Sequence, residues 1–202
     1  MYNKKGMVEM TKKAAVLIAD GCEEVEALSP VDVLRRLGLE VDMVGLNSKK
    51  VIGDHDIVLT CDKILDVDLL EYDIVIFPGG YPGAENLKNS TVLKGLMQRR
   101  AQAGKWNAAM CAAPLAFAAY GLLDGSEYTC YPSVHDQIKD QITDGHFKED
   151  IVVIDHDKRI LTSRGPATAW AYSYAIAEIL GADTTQLKEA MLYNFLSENI
   201  TR

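Results

Sequence analysis

Three strand-length apolar runs, each followed closely by glycines or other small residues, constrain the fold of this chain most strongly. The runs cover residues 14–19, 73–77 and 106–110, and the turns after them contain Gly-Cys-Glu-Glu-Val-Glu, Pro-Gly-Gly and Cys-Ala-Ala-Pro. A strand that is apolar on both faces is typical of a parallel sheet covered by helices. The sequence therefore predicts an α/β fold, a doubly wound sandwich with a mostly parallel central sheet and helices on both faces.

Helical periodicity and turn residues predict the other elements. A helix over residues 23–37 ends before Gly38 and leads to a strand at 41–46, which makes a β-α-β unit with a right-handed crossover. The patterns also predict hairpins at 51–59 and 151–162, and helices at 84–103, 114–123 and, as the last long helix, 167–180. The polar residues 1–13 are expected to be a disordered leader, and residues 14–202 a single domain.

Charge and apolar run length exclude two classes of partner. Acidic residues outnumber lysine and arginine by 29 to 21, and no dense basic run occurs, so we expect no nucleic-acid binding. No apolar stretch approaches the roughly 18 residues of a membrane span, and no secretory signal begins the chain. The four cysteines lack metal-type or paired spacing, which favours free thiols in a reducing cytoplasm.

Cofactor and metal motifs are also missing from the sequence. No GxGxxG, phosphate-binding GxxxxGK[ST] or HExxH pattern occurs, so we expect neither a bound cofactor nor a catalytic metal. Two Asp-His-Asp triplets, at residues 54–56 and 155–157, look like ligand clusters. Both fall where a hairpin turn is expected, and turn chemistry explains them better than metal binding.

Cys111 is the strongest candidate for a reactive group. It follows an apolar strand and precedes small residues that open a helix, a pattern that permits the sharp turn of a nucleophile elbow. The amides at a helix start would stabilise a thiolate there. The local pattern equally allows a buried cysteine that acts as a small apolar side chain.

Residues after the other two strands are expected to meet Cys111, because parallel strands present their carboxyl ends at one sheet edge. Gly80, in Gly79-Gly80, would let backbone amides approach an oxyanion. Glu26, if desolvated, would keep its proton and donate a hydrogen bond to the sulfur. Cys22 would face the same pocket, where a disulfide with Cys111 is a further possibility.

Five stretches of the chain, in order, resemble the ThiJ/PfpI superfamily, within the branch of the parkinsonism-associated protein deglycase. They are residues 21–26, 29–36, 72–80, 109–114 and 161–166. The resemblance implies a flavodoxin-like sandwich that forms a homodimer. It also implies a cofactor-independent glyoxalase or deglycase that acts on methylglyoxal or its adducts.

The same resemblance implies roles for individual residues. Cys111 matches the oxidation-sensitive nucleophile, and Glu26 the protonated glutamate beside it. The amides of Gly80 and Ala112 match the oxyanion hole. The pocket rim corresponds to Ser163 and Arg164.

Two departures from the family pattern refine this interpretation. Tyr131 stands where a histidine usually serves as proton shuttle, and tyrosine is a poor base near neutral pH. Ala112 stands where the protease-like branch has histidine, which argues against a peptidase. The alternative to an enzyme is a redox sensor or stress chaperone in which Cys111 is oxidised to a sulfinate.

Overall fold

The computed structural model of the protein describes residues 11–200. Its strands follow in chain order as β1 (Lys13–Ile18), β2 (Glu40–Gly45), β3 (Lys50–Ile52), β4 (Val58–Thr60), β5 (Lys63–Ile64), β6 (Ile74–Phe77), β7 (Trp106–Met110), β8 (Glu127–Tyr128), β9 (His146–Phe147), β10 (Val152–Asp155) and β11 (Ile160–Ser163).

The α-helices occupy both faces of the central sheet. They are α1 (Glu24–Arg36), α2 (Tyr81–Asn89), α3 (Thr91–Gln102), α4 (Pro114–Ala119), α5 (Pro132–Ile138), α6 (Ala169–Ile179), α7 (Thr185–Ala190) and α8 (Tyr193–Asn199). No helix within residues 11–200 is both long enough and apolar enough to cross a membrane.

The central sheet has seven strands in the order β10-β11-β7-β6-β1-β2-β5. β10 runs antiparallel to β11, whereas each other neighbouring pair is parallel. β3 and β4 form a hairpin outside this sheet, as the sequence predicts. The predicted α/β sandwich with a mostly parallel sheet is therefore confirmed.

Strand order places the candidate site at one edge of the sheet. β7, β6 and β1 are adjacent, and because they are parallel their carboxyl ends meet at the same edge. The chain order changes direction between β1 and β6, and such a switch point is where open α/β sheets bind ligands. The loops after Ile18, Phe77 and Met110 converge there.

Alternating side chains of the central strands fill two apolar layers. Leu17 and Phe77 belong to a layer covered by α2, α3 and α4, whereas Val16 and Ile76 belong to a layer covered by α1 and α6. All four side chains are fully buried. Burial on both faces explains why these strands read as continuous apolar runs.

Helix boundaries differ from the sequence predictions in several places. The predicted helix over 84–103 is two helices, because Ser90 adopts an extended conformation and its hydroxyl caps the amide of Leu93 at 3.3 Å. The helix predicted to end at residue 123 ends at Ala119. Two short helices, α7 and α8, follow the helix that we predicted to be the last long one.

The disordered leader was predicted to extend to residue 13, but the first strand begins at that residue. Lys13 already belongs to β1, and its amide donates to the Asp73 carboxylate at 2.9 Å. The remainder of that prediction, for residues 1–10, lies outside the described residues.

Candidate active site

The turn after β7 holds Cys111 in a strained conformation. Cys111 has φ 58°, in the left-handed region that costs a residue with a side chain about 1–2 kcal/mol. Its amide donates to the Ser163 carbonyl at 3.0 Å, and its carbonyl accepts from the Tyr131 amide at 2.9 Å. These bonds tie the turn to the end of β11 and to the start of α5. Cys111 is partly exposed, whereas its neighbours Met110 and Ala112 are buried.

Two backbone amides lie close to the Cys111 sulfur. The N–H groups of Gly80 and Ala112 lower the pKa of the thiol, against the larger and opposite effects of burial and of Glu26. Gly80 has φ 83°, and a Cβ there would lie 2.3 Å from the Gly21 carbonyl oxygen. Only glycine fits this position, which places an amide donor at the sulfur as an oxyanion hole requires.

Glu26 lies on the first turn of α1 and is fully buried. Its amide donates to the Glu23 side chain, which caps the helix at 2.7 Å. The Gly79 amide donates to Oε2 of Glu26 at 2.7 Å. Among the described residues, Oε1 has no aligned hydrogen-bond partner.

Gly79 brings the carboxyl group and the nucleophile together. A Cβ at Gly79 would lie 2.6 Å from Oε2 of Glu26 and 2.7 Å from Cβ of Cys111. The contact between the thiol and the carboxyl is not an aligned hydrogen bond, but it is close enough that each group shifts the pKa of the other. The sequence singled out Gly79 with Gly80 as a turn, and no local signal predicted its bond to Glu26.

The protonation state of Cys111 differs from our expectation, which was a thiolate stabilised by the start of the following helix. Burial and the Glu26 carboxylate raise the pKa of the Cys111 thiol above its ordinary value. Burial raises the pKa of Glu26 to about 7, although the thiol and the Gly79 amide lower it. The resting site therefore holds a neutral thiol beside a carboxyl group that ionises near neutral pH, where the carboxylate can take the thiol proton.

The expected rim residues occupy different positions. Tyr131 is 46% exposed, and its ring lies against Gly165. Arg164 is partly buried, with its guanidinium 6.0 Å from the centre of the Phe147 ring. Ser163 is fully buried: its hydroxyl donates to the Ile151 carbonyl at 2.6 Å, and its own carbonyl accepts from the Cys111 amide.

Cys22 does not present its thiol to the pocket as expected. The side chain is 1% exposed and belongs to the apolar layer under α1, and burial raises the pKa of the thiol to about 12. It is the backbone of Cys22 that borders Gly80 and Gly83. All four cysteines are free, so the Cys22–Cys111 disulfide is not formed.

The two Asp-His-Asp triplets lie in turns, as predicted. Asp155 accepts from the Lys158 amide at the tip between β10 and β11, which is the sheet edge opposite Cys111. His55 is held by Glu24, which accepts from its amide at 2.8 Å and lies 2.7 Å from its Nδ1. Within the described residues, one group of possible metal ligands has its atoms within 4.8 Å of one another: Glu23, Glu24 and His55. Sequence spacing gave no sign of this group, because it joins a helix start to a hairpin.

Known proteins are similar to this chain in sequence and in fold. The DJ-1/PfpI family profile matches residues 12–179. Protein DJ-1 homolog B of Arabidopsis thaliana is 37% identical over 177 residues, which are 86% of this chain and 39% of the relative, so the chain spans about two fifths of that protein. The glutathione-independent glyoxalase DJR-1.2 of Caenorhabditis elegans is 34% identical over 84% of this chain and 89% of its own length.

A solved structure agrees with the sequence comparisons. The crystal structure of Drosophila melanogaster DJ-1beta superposes with a TM-score of 0.82 at 32% identity, covering 91% of this chain and 98% of that one. The chain belongs to the DJ-1/PfpI family.

Proposed function

We propose that the protein is a cofactor-independent, cysteine-dependent glyoxalase or deglycase that acts on methylglyoxal or its adducts and protects against carbonyl and oxidative stress. The observation that carries this proposal is the strained Cys111, with two backbone amides at its sulfur and a fully buried carboxyl group beside it. A relative named as a glutathione-independent glyoxalase supports it.

The first step is addition of Cys111 to the aldehyde. The Glu26 carboxylate removes the thiol proton, and the sulfur bonds to the aldehyde carbon of methylglyoxal. The carbonyl oxygen gains negative charge, which the amides of Gly80 and Ala112 stabilise. Protonation of that oxygen by Glu26 gives the hemithioacetal and returns the carboxylate.

The later steps move two protons within the adduct and add one water. Glu26 takes the proton from the former aldehyde carbon, which gives an enediolate, and returns it to the neighbouring carbon, while the hydroxyl proton of the former aldehyde oxygen passes to the neighbouring oxygen. The product is a lactoyl thioester of Cys111. Water then attacks the thioester carbon, the carbon–sulfur bond breaks, and lactate leaves with the thiol restored. The balance is methylglyoxal plus water giving lactate, with no external oxidant or reductant.

In this mechanism Glu26 replaces the missing histidine. A carboxyl group with a pKa of about 7 accepts and donates protons efficiently at neutral pH. Tyr131, whose side chain is exposed, would contact substrate rather than carry the proton. Arg164 adds positive charge near the pocket.

Lactate formation tests the proposal. Purified wild-type protein is compared with Cys111→Ser and Glu26→Gln, with Cys61→Ser as the matched control because Cys61 is a buried free thiol outside the site. We expect lactate from the wild type and the control, and none above background from the two site variants. Equal lactate from wild type and Cys111→Ser would overturn the proposal.

A redox sensor or stress chaperone is the second candidate function. The observation that favours it is the unpartnered Oε1 of Glu26, because a protonated carboxyl group can donate to a sulfinate oxygen on Cys111. Mild peroxide followed by peptide mass spectrometry should then add two oxygens to Cys111 first. Earlier oxidation of Cys22, Cys61 or Cys130 would contradict this candidate.

A further inference from the structure

The hydroxyl of Tyr172 is an exception among the buried tyrosines of the described chain. Tyr72, Tyr120, Tyr128 and Tyr174 are each 3% exposed or less, and each hydroxyl has a hydrogen-bond partner. Tyr172 is fully buried, and within residues 11–200 its hydroxyl has no partner. A phenylalanine would fill nearly the same volume without burying a polar group.

Tyr172 lies in the apolar layer on the side of the sheet that carries Glu26. It is on α6, which packs against α1, the helix that carries Glu26. Its side chain belongs to the same apolar layer as Ala27, which follows Glu26, and Met110, which precedes Cys111. The charge of Glu26, together with burial, raises the pKa of Tyr172, so the two groups are within electrostatic reach.

Two packed helices, α1 and α6, therefore each carry a buried polar atom that lacks a partner within the described residues: Oε1 of Glu26 and the hydroxyl of Tyr172. We propose that Tyr172 is a positioning residue that donates a hydrogen bond to Oε1 of Glu26, directly after a side-chain rotation or through one buried water, when Glu26 is ionised. A phenol can donate while it remains neutral, and a single water with polar groups on either side is a common way to join them.

This donor would set the proton affinity of the Cys111–Glu26 pair. The titratable groups that shift the pKa of Glu26 are Cys111 after β7 and Glu23 at the start of α1. The charge of Glu26 in turn raises the pKa of Tyr172 on α6. The bond to Tyr172 favours the ionised carboxyl group and so lowers its pKa, whereas burial and the charge of Glu23 raise it. The inference rests on the proposed role of Glu26 as proton carrier, but it can be measured without substrate.

The test is the pH dependence of Cys111 alkylation by iodoacetamide, followed by intact-mass and peptide mass spectrometry. The test variant is Tyr172→Phe, and the matched control is Tyr174→Phe. The control also removes a buried hydroxyl from α6, but that hydroxyl donates to the Met191 sulfur. For the wild type we expect a midpoint near pH 7, where Glu26 becomes able to accept the thiol proton.

Tyr172→Phe should raise this midpoint by about one pH unit. The reactive thiolate lies beside a protonated Glu26 and does not use the proposed bond, so alkylation below the midpoint should match the wild type, whereas the plateau above it should rise by up to about tenfold. Tyr174→Phe should leave the midpoint in place. An unchanged midpoint in Tyr172→Phe, or a lowered plateau alone, would overturn the inference, because either result indicates a structural role. A shifted midpoint in a protein that forms no lactate would retain this inference and reject the proposed function.

Discussion

Replacing Glu26 with glutamine should change how the stability of the protein depends on pH. Burial raises the pKa of this carboxyl group from its ordinary value of 4.5 to about 7 in the folded protein. Glutamine has nearly the same shape but does not titrate between pH 4 and pH 8. The variant therefore separates the cost of ionising a buried carboxyl group from all other pH effects.

The sign follows from the proton count of each state. Below pH 4.5 the carboxyl group is protonated whether the chain is folded or unfolded, and its full contribution to stability is present. Between pH 4.5 and 7 the unfolded chain releases the proton while the folded chain keeps it, so the free energy of unfolding falls as the pH rises. Above pH 7 both states are ionised and the loss is complete, at about 3 kcal/mol.

The measurement is urea unfolding at several pH values from 4 to 8. The free energy of unfolding of Glu26→Gln minus that of the wild type should increase by about 3 kcal/mol across this range. Glu149→Gln is the control, since Glu149 is exposed and its replacement should leave the wild-type curve unchanged. Parallel curves for Glu26→Gln and the wild type would refute the reasoning, because Glu26 would then ionise as readily in the folded protein as in the unfolded chain.

Four further substitutions test other parts of the structure. Gly79→Ala should abolish lactate formation in a steady-state assay, because its Cβ would lie under 3 Å from Oε2 of Glu26 and from Cys111; wild-type kcat/KM would contradict this. Arg100→Met should cost at least about 3 kcal/mol in urea unfolding, because the buried guanidinium bonds three backbone carbonyls and a side-chain amide, which would lose their donors. Tyr131→His should increase kcat, measured as lactate release, because imidazole titrates near neutral pH; a decrease would argue that the phenol itself contacts substrate. Light scattering should give twice the chain mass for the wild type and a monomer for Val25→Asp, since Val25 is 48% exposed on α1 and an apolar residue there is suited to a dimer contact.

Local pattern was sufficient to predict the sheet, whereas for Cys111 it allowed both a nucleophile and a buried apolar side chain. The runs that became β1, β6 and β7 are apolar at nearly every position because both faces of these strands are covered. The resulting parallel sheet requires their carboxyl ends to share an edge, so the predicted topology already brings Cys111, Glu26 and Gly80 together. Helix ends were predicted less well, because the split at Ser90 depends on a side-chain cap rather than on periodicity.

Tertiary structure alone decided the protonation of the site. Whether Glu26 keeps its proton depends on how completely the surrounding elements exclude water from it, and burial of this kind is the sum of contacts from several loops and helices. The same holds for the raised pKa of the Cys111 thiol, for the burial of Ser163 and Cys22, and for the unpartnered hydroxyl of Tyr172. The sequence by itself determined which reactive groups meet at the edge of the sheet. Its apolar runs predict parallel strands, and parallel strands have their carboxyl ends at the same edge. Their proton affinities were decided only by the packed structure, because desolvation is a property of all the neighbours together.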